Sequence, residues 1–203
     1  MRRRAARTAL ATALVATNAL AAETYVIDPA HTFASFSVDH LGIATQRGRF
    51  DRSRGRATLD REARAGTIDI EIDSASVSTG NAQLDALLRS DEFFDSVRQP
   101  AIRFHAEQIE FDAAQPRAVA GELTLLGVTR PVTLAIGRFG CTRKPFVVVQ
   151  RCGADASASI RRSQFGLKGY ASFVGDEVGI AIQVEAILQE PPPPAGPGGA
   201  GGG

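Results

Sequence analysis

The chain has 203 residues, of which 44% are apolar, 22% charged and 6% aromatic, with no tryptophan. That length supports one domain with a substantial core. Its 23 Lys and Arg against 22 Asp and Glu give a net charge of +1, and with no dense basic patch a nucleic-acid partner is excluded.

The first elements are not part of the fold. Arg2, Arg3, Arg4 and Arg7 form a basic region ahead of an uncharged run from Thr8 to Leu20, and Ala19-Leu20-Ala21 supplies a small-x-small cleavage pattern. The run is short for a membrane span. We expect a cleavable secretory signal over residues 1–21 and a mature body over 22–190. Losing those four arginines leaves 19 basic against 22 acidic residues, a net of −3, which does not draw the body to anionic head groups. Residues 191–203 contain only Pro, Gly and Ala, so a disordered tail is expected there.

Strand patterns fill the body. Segments 25–28 and 32–40 come first, then 46–59 with bends at Gly48 and Gly55, then 67–73. In the last of these Ile68, Ile70 and Ile72 alternate with Asp69, Glu71 and Asp73, which puts an apolar stripe on one face and three carboxylates on the other. Residues 81–95 break the pattern: Leu84, Leu87 and Leu88 have helical spacing, and Ser90 or Asp91 suits the cap of a further turn carrying Phe93 and Phe94. Strands resume at 102–112, 117–126, 131–139, 146–149, 154–161, 168–173 and 177–189. Val132, Leu134, Ile136 and then Val178, Ile180, Ile182, Val184 repeat the alternation. Many short strands without alternating long helices predict an all-β fold: an antiparallel, eight-stranded lipocalin-like barrel with a short helical insert. An outer-membrane barrel shares the period but needs aromatic girdles. Two tyrosines and scattered phenylalanines do not make them.

Cys141 and Cys152 lie in one segment between predicted strands, and in an oxidising compartment the expectation is a structural disulfide worth about 3 kcal/mol in the chain-entropy model. His31, His40 and His105 match no compact metal motif, so no metal and no cofactor are expected. His31 beside Asp28 suits a hydrogen-bonded strand start, and Asp28 before Pro29 a turn. Arg162 suits a buried ion pair better than a ligand head group. No Gly-x-Ser-x-Gly, His-Glu-x-x-His or phosphate-cradling loop appears, which argues against an enzyme.

The segment Tyr25-Val-Ile-Asp28-Pro-Ala-His31-Thr-Phe-Ala-Ser-Phe36-Ser-Val38-Asp-His40-Leu-Gly42 resembles the opening of the YceI-like family. Similar matches are Gly48-Arg-Phe50, Ser90-Asp-Glu-Phe93-Phe94-Asp95, Pro100-Ala-Ile-Arg-Phe104, Gly121-Glu-Leu-Thr-Leu-Leu-Gly127-Val-Thr-Arg-Pro131-Val and Arg162-Ser-Gln-Phe165-Gly166. Where the family often has Asn before the Arg-Ser and Asp after it, this chain has Arg161 and Gln164. The resemblance implies an antiparallel lipocalin-like barrel, usually exported to the periplasm, that binds polyisoprenoid or similar long amphiphilic lipids.

The candidate cavity wall is then Phe36, Val38 and His40 on one strand parity, with Phe50, Ile68, Ile70, Ile72, Phe104, Leu123 and Leu125. Leu84, Leu88, Phe93 and Phe94 on the insert would form a lid or plug over one mouth, with Arg162 as the polar candidate. About thirty prenyl carbons in such a wall would bind with roughly −9 kcal/mol at −0.3 kcal/mol per heavy atom. The expected function is sequestration or carriage of a quinone or polyprenyl-type lipid, with transient membrane or membrane-protein contact for loading. The alternatives are a secreted stress-related interaction protein with a packed barrel and, behind it, a hydrolase.

Overall fold

The computed structural model describes residues 22–113, 115–142 and 149–189. The expected signal and tail lie outside these residues, as does most of the short strand expected over 146–149. In chain order the elements are β1 (Glu23–Ile27), β2 (Phe33–His40), β3 (Ala44–Phe50), β4 (Ser53–Asp60), β5 (Ala65–Asp73), a 3-10 turn (Ser74–Ser76) and β6 (Val77–Ser78). Then come α1 (Ala82–Arg89), β7 (Ala101–Asp112), β8 (Gln115–Leu125), β9 (Val128–Thr142), β10 (Arg151–Arg161), a second 3-10 turn (Arg162–Phe165) and β11 (Val174–Leu188).

These strands make one closed antiparallel barrel. β1 and β2 are two halves of a single stave: both pair with β11, through Tyr25↔Leu188 in one half and Phe36↔Ile180 in the other. Likewise β3 and β4 together face them, Phe36 opposite Gly48 and Tyr25 opposite Ala57. With β5, β7, β8, β9, β10 and β11 the ring has eight staves, joined in the order β4-β5-β7-β8-β9-β10-β11 and closed by β1–β11. Closure leaves no long free edge, which is why so many short amphipathic strands are stable together.

The interruptions in the staves are stitched by side chains. Between β1 and β2 the Thr32 hydroxyl donates to the Glu185 carbonyl at 3.1 Å and accepts the Glu185 N–H at 3.1 Å, replacing the lost backbone pairing. Asp28 N–H donates to the same carbonyl at 2.9 Å. Between β3 and β4 the bend falls at Asp51 and Arg52, whose N–H groups donate to the carbonyl and hydroxyl of Ser76. Bends were expected at Gly48 and Gly55, but these lie within β3 and β4, and the missing side chain of Gly48 serves another purpose. A Cβ there would come within 2.4 Å of the Phe36 ring. Gly121 does the same for Phe104 across β7 and β8, at 2.6 Å. In both places an aromatic ring from one stave lies over a bare glycine on the next.

The expected strand over 168–173 is a turn instead. Tyr170 takes a left-handed backbone with φ of 54°, and its carbonyl accepts from both Phe173 and Val174 N–H, which closes the turn. The helix is where the leucine spacing put it: the Asn81 carboxamide oxygen caps α1 by accepting from Gln83 and Leu84 N–H. Ser90 then organises the following turn, its hydroxyl accepting Glu92 N–H at 3.3 Å. Cys141 and Cys152 face each other across β9 and β10 and are joined as a disulfide.

Candidate functional site

The inward parity of the staves is largely apolar, with His40, Gln46, Ser53 and Thr58 among the few polar lining residues, and the side chains do not meet in the middle. A cavity of about 650 Å³ runs through the barrel, bordered by Tyr25, Leu59 and Cys152 towards one end and by His40, Leu41, Tyr170 and Phe173 at the other. A solid centre would need larger side chains. The second end is the mouth. α1 and the turn after it lean over it, with the Phe94 ring 5.2 Å from Phe50 and 6.5 Å from Phe36, centroid to centroid. Phe93 stacks on Tyr170 at 5.8 Å, which ties the insert to the 167–173 turn.

All fifteen residues expected to line a ligand site border this cavity. Phe36, Val38 and His40 form one row on β2. Ile68, Ile70 and Ile72 on β5 face Phe104 on β7, which is followed by Leu123 and Leu125 on β8. Phe50, Leu84, Leu88, Phe93 and Phe94 close the insert side, and Arg162 lies at the margin. His40 is exposed, so it stands at the mouth and not within the wall. The expectation missed the opposite half of the tube: Val132, Leu134 and Ile136 of β9, and Val178, Ile180, Ile182 and Val184 of β11. Their signal was the same period-two alternation. Leu41, Tyr170 and Phe173, which border the mouth from turns, carried no periodic signal.

Arg162 makes no ion pair among the described residues, contrary to expectation. It is buried, with 6% of its surface exposed, and donates to four backbone carbonyls. Nε reaches Gly175 O at 2.8 Å, Nη1 reaches Leu167 O at 3.0 Å and Gly169 O at 2.8 Å, and Nη2 reaches Val174 O at 2.9 Å. The 167–175 turn leaves these carbonyls without strand partners, so together they solvate the cation. The nearby carboxylate is diverted: Asp176 accepts the Ser163 N–H at 2.9 Å and its hydroxyl at 2.8 Å, and that backbone N–H chiefly lowers its pKa. At the departure positions, Arg161 is exposed and the Gln164 carbonyl accepts from Arg130 Nε at 3.4 Å.

Two further polar groups lie towards the end of the barrel away from the mouth, Asp28 outside the cavity lining and Tyr25 at its border. Asp28 receives Arg151 Nη1 at 2.5 Å and lies 3.0 Å from His31 Nδ1; these partners, Arg151 first, pull its pKa down to about 2. Its turn-forming role is visible in Ala30 N–H donating to Oδ1 at 3.0 Å. Ligand-type atoms of Asp28, His31 and Glu185 lie within 4.8 Å of one another, but Arg151 also reaches Glu185 at 3.8 Å and already supplies the positive charge. Tyr25 donates to Glu23 at 2.6 Å, and burial followed by that carboxylate pushes its pKa up to about 12.

A closed antiparallel barrel with an apolar through-cavity and one loop-framed mouth defines the class of lipocalin-like cavity barrels. Comparison with known proteins narrows this. The YceI-like domain family model matches residues 25–186, and the chain belongs to that family. A UPF0312 protein of Enterobacter sp. (strain 638) is 32% identical over 94% of this chain and 100% of its own length. Protein YceI of Escherichia coli O157:H7 is 31% identical over 79% and 83%. Among solved structures, Burkholderia cenocepacia BcnA superposes with a TM-score of 0.67 at 22% identity, covering 78% of this chain and 98% of that one. A polyisoprenoid binding domain from Saccharophagus degradans superposes at 0.61 with 17% identity, covering 81% and 98%.

Proposed function

We propose that this protein binds one long-chain isoprenoid-type lipid, of the quinone or polyprenyl class, inside its barrel and carries or stores it in the periplasm without transforming it. The observation that carries this reading is the cavity of about 650 Å³, walled by apolar side chains from every stave. A chain methylene occupies about as much space as a water in the liquid, roughly 30 Å³, so the tube has room for on the order of twenty carbons. By the yardstick of about −0.3 kcal/mol per heavy atom the enclosed part contributes near −6 kcal/mol, which is tens of micromolar. The thirty carbons expected from sequence exceed this room, and the excess lies at the mouth. There His40 and Gln46, on neighbouring strands, offer the polar contacts for a head group.

The polyisoprenoid-binding neighbour supports the ligand class, and the cross-strand disulfide agrees with an oxidising compartment. No carboxylate among the described residues borders the cavity, which weighs against acid–base chemistry within it. The packed-barrel alternative is disfavoured by the void itself. Native mass spectrometry of protein isolated from its own periplasm tests the proposal: a bound mass assignable to a prenyl lipid is expected. A lipid-free protein that also refuses added prenyl lipids rejects it.

A further inference from the structure

Among the described residues six large apolar side chains are exposed: Val26 40%, Leu41 49%, Ile43 83%, Val97 91%, Tyr170 47% and Phe173 54%. Only Val26 lies along the barrel side. The other five project from the mouth end, on the β2–β3 hairpin, the segment between α1 and β7, and the 167–173 turn. The two turns are joined, since Leu41 N–H donates to the Phe173 carbonyl at 2.8 Å and His40 pairs with Val174. Leu41, Tyr170 and Phe173 also border the cavity, so along these three side chains the apolar wall continues onto the outer surface, beside the polar His40 and Gln46. The hairpin tip and the turn hold Leu41 at φ 60° and Tyr170 at φ 54°, a left-handed conformation unfavourable for bulky side chains. By contrast the far-end β4–β5 turn, Arg61, Glu62, Ala63 and Arg64, is exposed and largely charged.

We propose that this apolar rim is the surface by which the protein enters the interfacial layer of a lipid bilayer, mouth first, so that a chain passes from the membrane into the barrel without crossing water. The proposal rests on the lipid-binding reading for its purpose, but the contact itself is separately measurable. A bilayer fits the rim better than a partner protein, because the same apolar lane serves both the contact and the cargo. Exposed large apolar residues in a monomer mark such interaction sites, and an amphipathic ring like Tyr170 suits the head-group depth.

The absence of native tryptophan supplies the probe. Ile43→Trp, outside the cavity lining, places one at the rim, and Glu62→Trp places one at the far end as control. With phosphatidylcholine vesicles free of prenyl lipid, the rim tryptophan is expected to shift to the blue and the far-end one to stay fixed. Ile43→Asp is expected to slow uptake of a fluorescent prenyl lipid from vesicles about tenfold, while uptake of the same lipid from dilute ethanol changes less than twofold. No shift at the rim, or equal shifts at both ends, overturns the proposal. So does a rim shift that follows protein concentration without vesicles, which would make the face a contact between copies. If the rim binds vesicles but no lipid enters the barrel, the cargo reading fails and the membrane contact stands.

Discussion

At the scale of single residues, charge and size are placed for opposite purposes. Asp28 anchors the break between β1 and β2 outside the cavity, and its depressed pKa turns that anchoring into pH dependence. A carboxyl near 4 in the unfolded chain and about 2 in the folded one contributes stability above pH 4 and loses it as pH falls through 2. The shift corresponds to about 2 kcal/mol. Asp28→Asn is expected to remove about that much near neutral pH, and to flatten the stability difference between about pH 4 and pH 2, read from urea unfolding. Gly48 acts through absence. Because a Cβ would run into the Phe36 ring, Gly48→Val is expected to push that ring into the tube and shorten the longest prenyl chain retained, scored by native mass spectrometry. Unchanged chain preference would mean that Phe36 does not set the length. These residues differ in how readable they were. Asp28 beside Pro29 and His31 announces a turn, whereas Gly48 reads as a bend until the ring packed over it is seen.

At the scale of elements, alternation was a reliable guide and turns were not. Ile68, Ile70 and Ile72 face inward because a half-buried strand permits nothing else, and the same rule recovers the strand-borne part of the wall but not Leu41, Tyr170 and Phe173 on the turns. It fails at 168–173, where Lys168, Tyr170 and Phe173 look strand-like but no neighbour offers a ladder. There the carbonyls turn towards Arg162, and a buried cation that sequence chemistry would pair with a carboxylate is held by the backbone. Arg162→Met is therefore expected to release the 167–175 turn: amide exchange should rise across it, and stability should fall by about 3 kcal/mol for four orphaned acceptors. Stability intact with normal exchange protection would show that the turn holds itself. The break between β1 and β2 was legible in Asp28-Pro29, but only the pairing of both halves with β11 reveals them as one stave.

At the scale of the molecule, the disulfide and the barrel closure act at different places. Cys141–Cys152 links β9 to β10 at the end away from the mouth, 11 residues apart in sequence. Serine at both positions is expected to lower stability by about 3 kcal/mol in the chain-entropy model, visible as a lower midpoint in thermal unfolding. An unchanged midpoint would show that the link adds nothing to stability. Closure depends on β11 instead, which joins both β1 and β2 across more than a hundred residues. The tube thus has no interior until its last-described strand arrives, however well the earlier staves are paired. A chain lacking β11 is an open, greasy sheet, so the barrel cannot seal until that strand is available. Such long-range pairing is slow, of the order of milliseconds to seconds. A premature stop before Val174 would therefore yield an unsealed sheet prone to clumping, and not a smaller barrel.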